Sequence, residues 1–138
     1  SRIDIINPRL RVLADLKTTK SIDVRRFGHD IARYQYHGQL AYYSMGVEAA
    51  LGWRPERHLL IAVEKSAPYD VAIFEMGGDA LLVGADKCRA LLTLLRDCTE
   101  RDHWPGRHPK PVTLDATNLP PWIFGGGAPE IMFLEDES

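Results

Sequence analysis

Apolar positions along this chain fall first at a period of two, then at helical spacing, then at two again, and last at helical spacing. Residues 2–6, with Ile3, Ile5 and Ile6, read as a strand. Asn7-Pro8-Arg9 is a turn signal, and residues 10–17 read as a second strand, so an antiparallel hairpin is expected. Ser21 is the expected N-cap of a helix over 22–33, with Asp23 near its positive end. Val24, Phe27, Ile31 and Tyr34 lie on one side of that helix. A second helix is predicted over 35–51, with Tyr36, Gln39 and Tyr43 in one stripe. Ala41, Met45, Ala49 and Ala50 form its packed side, and Gly52 and Pro55 end it. The run Leu59-Leu60-Ile61-Ala62-Val63 marks 57–65 as a central buried strand. Residues 69–76 alternate and give another strand. Asp79 is the expected N-cap of the longest helix, 80–102, whose stripe is Leu81, Cys88, Leu91, Leu92, Leu95 and Cys98. Proline and glycine dominate after Trp104, so 105–138 reads as a loop-rich C-terminal tail. In that tail Trp122 is expected to dock on the core and the acidic end (Glu135, Asp136, Glu137) to fray.

The order strand, strand, helix, helix, strand, strand, helix is that of an α/β domain. A length of 138 residues suits one domain, 1–138, with its own core. Hydrophobic residues at 45% and charged residues at 26% match an ordinary soluble globular protein. A net charge of −2 excludes a uniformly basic nucleic-acid binder. It leaves room for a local basic patch, and the first third is basic (Arg2, Arg9, Arg11, Lys17, Lys20, Arg25, Arg26, Arg33). Cys88 and Cys98 lie ten apart on one helix face, which is neither metal spacing nor a disulfide framework. A reducing, cytoplasmic setting is expected, with no membrane partner, since no apolar run is long enough to span one. The chain starts at Ser1 and runs at once into a strand, which reads as a piece of something longer.

The chemistry concentrates at Leu13-Ala14-Asp15-Leu16-Lys17-Thr18-Thr19. On an extended strand Asp15 and Lys17 point to one face, and Val12, Ala14 and Leu16 to the other. A carboxylate there can hold a divalent cation, and the lysine can steady a water or a developing negative charge. The hairpin brings Asp4 near residues 13–15, so two carboxylates could share one cation. Asp-x-Lys is also what a surface ion pair on an edge strand looks like, and Asp4 alone is an ordinary edge residue. Gln39 alone is a half-buried amide that needs partners. Arg25, Arg26 and Arg33 suit a solvated helix face or phosphate contact. Both cysteines read as core, and His58 and His103 as surface residues.

The ordered set Asp4, Asp15-x-Lys17 and Gln39-Leu40-Ala41-Tyr42-Tyr43 resembles the PD-(D/E)xK nuclease superfamily. The Gln-x-x-x-Tyr helix resembles its RecB-like branch. Tyr34-x-Tyr36-His37-x-Gln39, Tyr43-Ser44-x-Gly46-x-Glu48-Ala49, Glu100-x-x-x-Trp104-Pro105 and Leu119-Pro120-x-Trp122 resemble the C-terminal nuclease domain of RecE-type exodeoxyribonuclease VIII. The resemblance implies a restriction-endonuclease-like mixed β-sheet flanked by helices. It implies that Asp4, Asp15 and the Leu16 carbonyl hold Mg²⁺ or Mn²⁺ and that Lys17 orients or activates the attacking water. Gln39 would position the lysine or the DNA end, and Tyr43 would shape that wall. The implied substrate is the end of linear double-stranded DNA, degraded to a 3′ single-stranded overhang for recombination. Implied partners are a single-strand annealing protein and further copies of the chain in a ring.

The family carries one more metal-site residue on a helix ahead of the first strand, and this chain begins at that strand. His29 and His37 are candidate replacements, and Glu64 is a candidate supporting group. Two other readings remain open at this stage. One is a DNA-binding or assembly module that no longer cuts. The other is a small-molecule-binding α/β domain with a closed apolar pocket and no metal at Asp4 and Asp15.

Overall fold

In the computed structural model, residues 2–108 and 110–125 are described. The chain forms two compact units, Ser1–Asp102 and His103–Ser138. The first carries a four-stranded mixed sheet and three helices: β1 (Ile5–Asn7), β2 (Val12–Thr19), α1 (Val24–Tyr34), α2 (Tyr36–Leu51), β3 (Arg57–Glu64), β4 (Val71–Glu75) and α3 (Gly78–Arg101). This is the α/β, restriction-endonuclease-like arrangement expected of the sequence. The second unit holds one 3₁₀ turn at Pro121–Ile123. Trp122 is 75% exposed there. The acidic end, 135–137, lies outside the described residues.

β1 and β2 form the predicted hairpin, with Ile5 opposite Ala14 and Asn7 opposite Val12. The turn is held by the Asn7 side chain, whose Oδ1 accepts from Leu10 N at 3.0 Å. β1 is shorter than residues 2–6 and shifted, so Asp4 lies just ahead of the strand. β2 pairs parallel to β3, in register from Val12↔Arg57 to Thr19↔Glu64. A parallel neighbour needs a crossover, and α1 and α2 supply it. β4 closes the sheet antiparallel to β3, giving the order β1-β2-β3-β4.

One face of the sheet is covered by α2, with α1 and α3 around it. Leu13, Phe27, Leu40, Tyr43, Val47, Leu60 and Ala62 form the core there. Phe27 stacks on Phe74 with ring centroids 4.7 Å apart, tying α1 to β4. The opposite face is open in this unit: Ile5, Leu16, Val71 and Ile73 are all exposed. The expected alternation along β2 holds: Leu13 and Asp15 on the covered face are buried, while Leu16, on the open face with Ile5, is 52% exposed.

The helix starts differ from expectation. Asp23, not Ser21, caps α1: its Oδ1 accepts from Arg26 N at 3.1 Å, while Ser21 Oγ accepts from Asp23 N. α3 begins two residues early with Gly77 as its cap, so Asp79 sits inside the first turn, where it still faces the positive helix end. On α2, Ala49 and Ala50 are exposed and Leu40, Tyr43 and Val47 carry the packing instead.

α2 and α3 run antiparallel and meet closely. A Cβ on Gly84 would stand 2.6 Å from His37 O and 2.9 Å from Gly38 N, so only glycine permits this approach. Lys87 reaches Gln35 and Cys88 Sγ reaches Gly38 O, both at the start of α2. The rest of α3 runs past that point. Leu91, Leu92 and Leu95, expected in its buried stripe, are exposed for that reason. Cys98 is buried and Cys88 half-buried, in keeping with their reading as core.

Candidate active site

The register of the hairpin sets the first part of the site. Asp4 comes one residue before Ile5↔Ala14, which places it level with Asp15 on the same face. Asp4 Oδ2 accepts from Leu16 N at 2.9 Å. That bond holds the Asp4 carboxyl below the usual carboxylate range. A residue on a strand sends its N–H and C=O to the same side. The Leu16 carbonyl therefore points to the Asp4 side of β2, beyond the end of β1.

Asp15 is 2% exposed, and burial pushes its carboxyl up from the usual value, against the opposing pull of Lys17. The Asp15 and Asp4 carboxyl groups face each other closely enough to perturb one another. Asp15 Oδ2 is paired with the ammonium of Lys17. A buried acid without a cation would be costly, so Lys17 is the local reason Asp15 can be there.

Lys17 in turn is gripped from α2. Its Nζ donates to Gln39 Oε1 at 2.7 Å. Gln39 Nε2 donates to the Tyr43 hydroxyl at 2.8 Å, one helical turn on. The ammonium can only donate, so it requires the amide oxygen of Gln39 to face it, and the Tyr43 hydroxyl then accepts from the amide nitrogen on the other side. The Tyr36 ring lies 4.5 Å from Nζ on a further side. Asp4, Asp15, Lys17, Gln39 and Tyr43 thus form one continuous chain of contacts, with Tyr36 against it. Tyr36 was visible in the stripe with Gln39 at a spacing of three, though its contact with the lysine was not.

The strand end beyond Lys17 is braced separately. Thr19 Oγ1 is 3.1 Å from both Ser21 O and Asp30 Oδ2, joining β2 to α1. Glu64 Oε1 accepts from Ile22 N at 2.9 Å. Glu64 therefore holds the turn into α1 and does not reach the carboxylates. His29 and His37 do not reach them either: among the described residues no three His, Cys, Asp or Glu side chains gather as a metal cluster. Arg25, Arg26 and Arg33 lie along α1, Arg33 over the Tyr34 ring at 5.5 Å.

A second concavity lies elsewhere. A cleft of about 670 Å³ is bordered by Arg11, Ser44, Glu48, Arg54, His58 and Met76, among others. It touches none of the five site residues and is open and mixed in polarity, unlike a closed apolar ligand pocket. His58, expected at the surface, is 7% exposed, with Nε2 buried and unpaired. It alternates with Leu60 and Ala62 on the core side of β3, a signal already present in the sequence. Burial, aided by Arg54, holds its imidazole below the usual histidine range. His103 is exposed, as expected.

The donor set suits a hard cation. Two facing carboxylates and one backbone carbonyl are oxygen ligands, and Mg²⁺ is commonly held by one or two carboxylates with water and phosphate completing its shell. Mn²⁺ fits the same set.

A chain with this topology and this carboxylate–lysine strand belongs among PD-(D/E)xK-like domains. Residues 1–111 match the family described as a PDDEXK-like domain of unknown function (DUF3799), and the chain belongs to that family. No curated protein matches it in sequence. Among solved structures it is similar to a protein from Eubacterium rectale provisionally named an exonuclease. The two are 18% identical with a TM-score of 0.48, and the match covers 74% of this chain and 45% of the other. Among the described residues no helix is long and apolar enough to cross a membrane.

Proposed function

We propose that this chain is the nuclease core of a RecE-type exodeoxyribonuclease that degrades linear double-stranded DNA from its ends, leaving single-stranded overhangs for recombination. The observation that carries the reading is the unbroken line of contacts from Asp4 through Asp15 and Lys17 to Gln39 and Tyr43. A surface ion pair would need no glutamine clamp on its lysine and no second carboxylate facing the first.

Asp4, Asp15 and the Leu16 carbonyl would hold Mg²⁺ or Mn²⁺. When bound, that ion supplies charge neutralisation on the phosphate and lowers the pKa of a water. Lys17 is ion-paired with Asp15 and donates to Gln39, and its remaining donor capacity serves the attacking water or a phosphate oxygen. Gln39, steadied by Tyr43, keeps the ammonium aimed. The open end of the site beside Asp4, which is exposed, admits the DNA end. Annealing-protein and ring-forming partners belong to the same reading.

The test is release of nucleotides from end-labelled linear duplex in Mg²⁺ or Mn²⁺, with covalently closed circular DNA as the control. Digestion of the linear form alone, abolished by Asp15→Ala and by Lys17→Ala, is the expected result. Binding of DNA ends without cutting, in the presence of either ion, would replace this reading with that of a DNA-binding module.

A further inference from the structure

We infer that Tyr34 and Tyr36 form a stacking platform for an unpaired base at the DNA end, with Arg33 as its phosphate partner. The inference rests on the nuclease reading above and adds a determinant of which ends are taken. Residues two apart on a continuous helix do not face each other. Tyr34 and Tyr36 nevertheless lie ring on ring, with centroids 5.6 Å apart and planes 23° from parallel. The cause is Gln35, which takes a left-handed backbone conformation (φ 59°, ψ 39°) between α1 and α2. That conformation is unfavourable for a residue with a Cβ. It is pinned here at both ends of the side chain: Gln35 Nε2 donates to Ala32 O at 2.6 Å and Oε1 accepts from Lys87 Nζ at 2.7 Å.

The two rings differ in what they meet. Tyr36 is half-buried, 4.5 Å from Lys17 Nζ and packed toward Phe27. Tyr34 is 55% exposed and sits one ring further out. Two contacts therefore lead from the catalytic ammonium to an open aromatic surface. Arg33 stands over that surface at 5.5 Å and makes no ion pair among the described residues. Arg25 and Arg26, also exposed, extend the positive charge along the same helix. Exposed aromatic rings flanked by arginine are how proteins hold single-stranded nucleic acid without reading its sequence. A base arriving on Tyr34 displaces the Arg33 guanidinium from the ring, and the guanidinium then meets the phosphate of that nucleotide. Ends whose terminal pair is already open are taken in preference to blunt, stable ones.

The test is end binding without metal, in EDTA, using a linear duplex with a short overhang that carries a fluorescent adenine analogue quenched on stacking. The wild-type chain is expected to quench the analogue. Tyr34→Ala should weaken end binding about tenfold and lose most of the quenching, while Tyr34→Phe retains both. With Mg²⁺ added, the Tyr34→Ala defect should appear as a raised KM, recovered at saturating DNA. An unchanged urea midpoint in Tyr34→Ala would show that folding is not the cause. Wild-type binding and quenching in Tyr34→Ala, or an equal defect in Tyr34→Phe, overturns the platform. Quenching by a wild-type chain that never cuts keeps the platform and removes the nuclease reading. Normal cutting by an unaffected Tyr34→Ala does the reverse, and a wild-type chain that does not bind DNA ends removes both.

Discussion

Replacing Lys17 by methionine isolates the electrostatics of the site from its packing. The thioether keeps most of the length of the side chain but removes the ammonium. Asp15 is buried and Lys17 half-buried, their side chains being 3% and 16% exposed. Breaking a buried pair by removing one member costs about 3–5 kcal/mol, because a charge is left without a partner. The low end, about 3 kcal/mol at pH 7.5, is expected, since Asp15 can relieve the strain by taking a proton. The sign of the pH dependence follows. Burial already raises the Asp15 pKa in the folded state, so its contribution to stability falls as pH rises from the unfolded carboxylate value of 3.8 through the folded one. Removing Lys17 takes away the opposing pull, which deepens that loss and extends it toward neutral pH. The deficit of Lys17→Met should therefore shrink on going from pH 7.5 to pH 5. The double variant Asp15→Asn with Lys17→Met should regain most of the loss, giving a coupling of about 2 kcal/mol or more in a double-mutant cycle. Urea unfolding at the two pH values measures all of this. A single variant within about 0.5 kcal/mol of wild type at pH 7.5, or a double variant no better than the single, would refute the argument.

Gly84→Ala should destabilise the fold by about 1–2 kcal/mol, because overpacking against the α2 backbone outweighs the helix-propensity gain; Gly38→Ala, with only Cys88 Sγ at 3.9 Å, should be far milder. Differential unfolding of the two variants decides it, and equal effects would contradict the close crossing. His58 titrates low in the folded state because it is buried, so stability should fall as pH drops below 6.5 and on through the folded value. That limb, at most about 1.4 kcal/mol per pH unit, should flatten in His58→Leu when unfolding is followed from pH 7.5 to 5. Gln39→Ala should slow hydrolysis by on the order of 10–100-fold with little change in Mn²⁺ affinity measured by calorimetry. A large loss of Mn²⁺ binding would place Gln39 at the metal instead. Glu64→Ala should cost about 1–3 kcal/mol by leaving Ile22 N without its acceptor, read from the urea midpoint.

The parts of the fold legible in the sequence were the local ones. A turn at Asn7-Pro8-Arg9 between two apolar runs was enough to set the hairpin, and the hairpin to bring Asp4 level with Asp15. The identity of each helix was likewise written in its period. What lay opposite each face was not. The stripe Leu91, Leu92 and Leu95 has the right spacing for burial, but α3 outruns α2, so nothing in this unit covers it. Leu16 alternates correctly and still faces open space, because it lies on the sheet face opposite α2. The grip of Gln39 on Lys17 joins residues 22 apart in sequence, and no periodicity predicts it. It was foreseen only as a motif resemblance, while the cation–π contact of Tyr36 and the bracing of Ile22 by Glu64 depend on the three-dimensional register of β2 against β3. His58 is the opposite case: its place in the alternation of β3 marked it as inward, and the lack of partner residues at a meaningful spacing led the other way.

The parallel pairing of β2 with β3 has a kinetic consequence. The carboxylate pair needs only a hairpin, which forms within microseconds once its turn is made. The lysine clamp needs residues 12–19 beside 57–64, with both intervening helices in place, and such distant pairings are slow because loop closure is unrewarded until the end. The order of assembly is therefore acids first and ammonium clamp last. A chain still emerging from synthesis holds its two acids long before it holds the clamp, so on the nuclease reading proposed above, activity arrives only with the final cooperative step of folding.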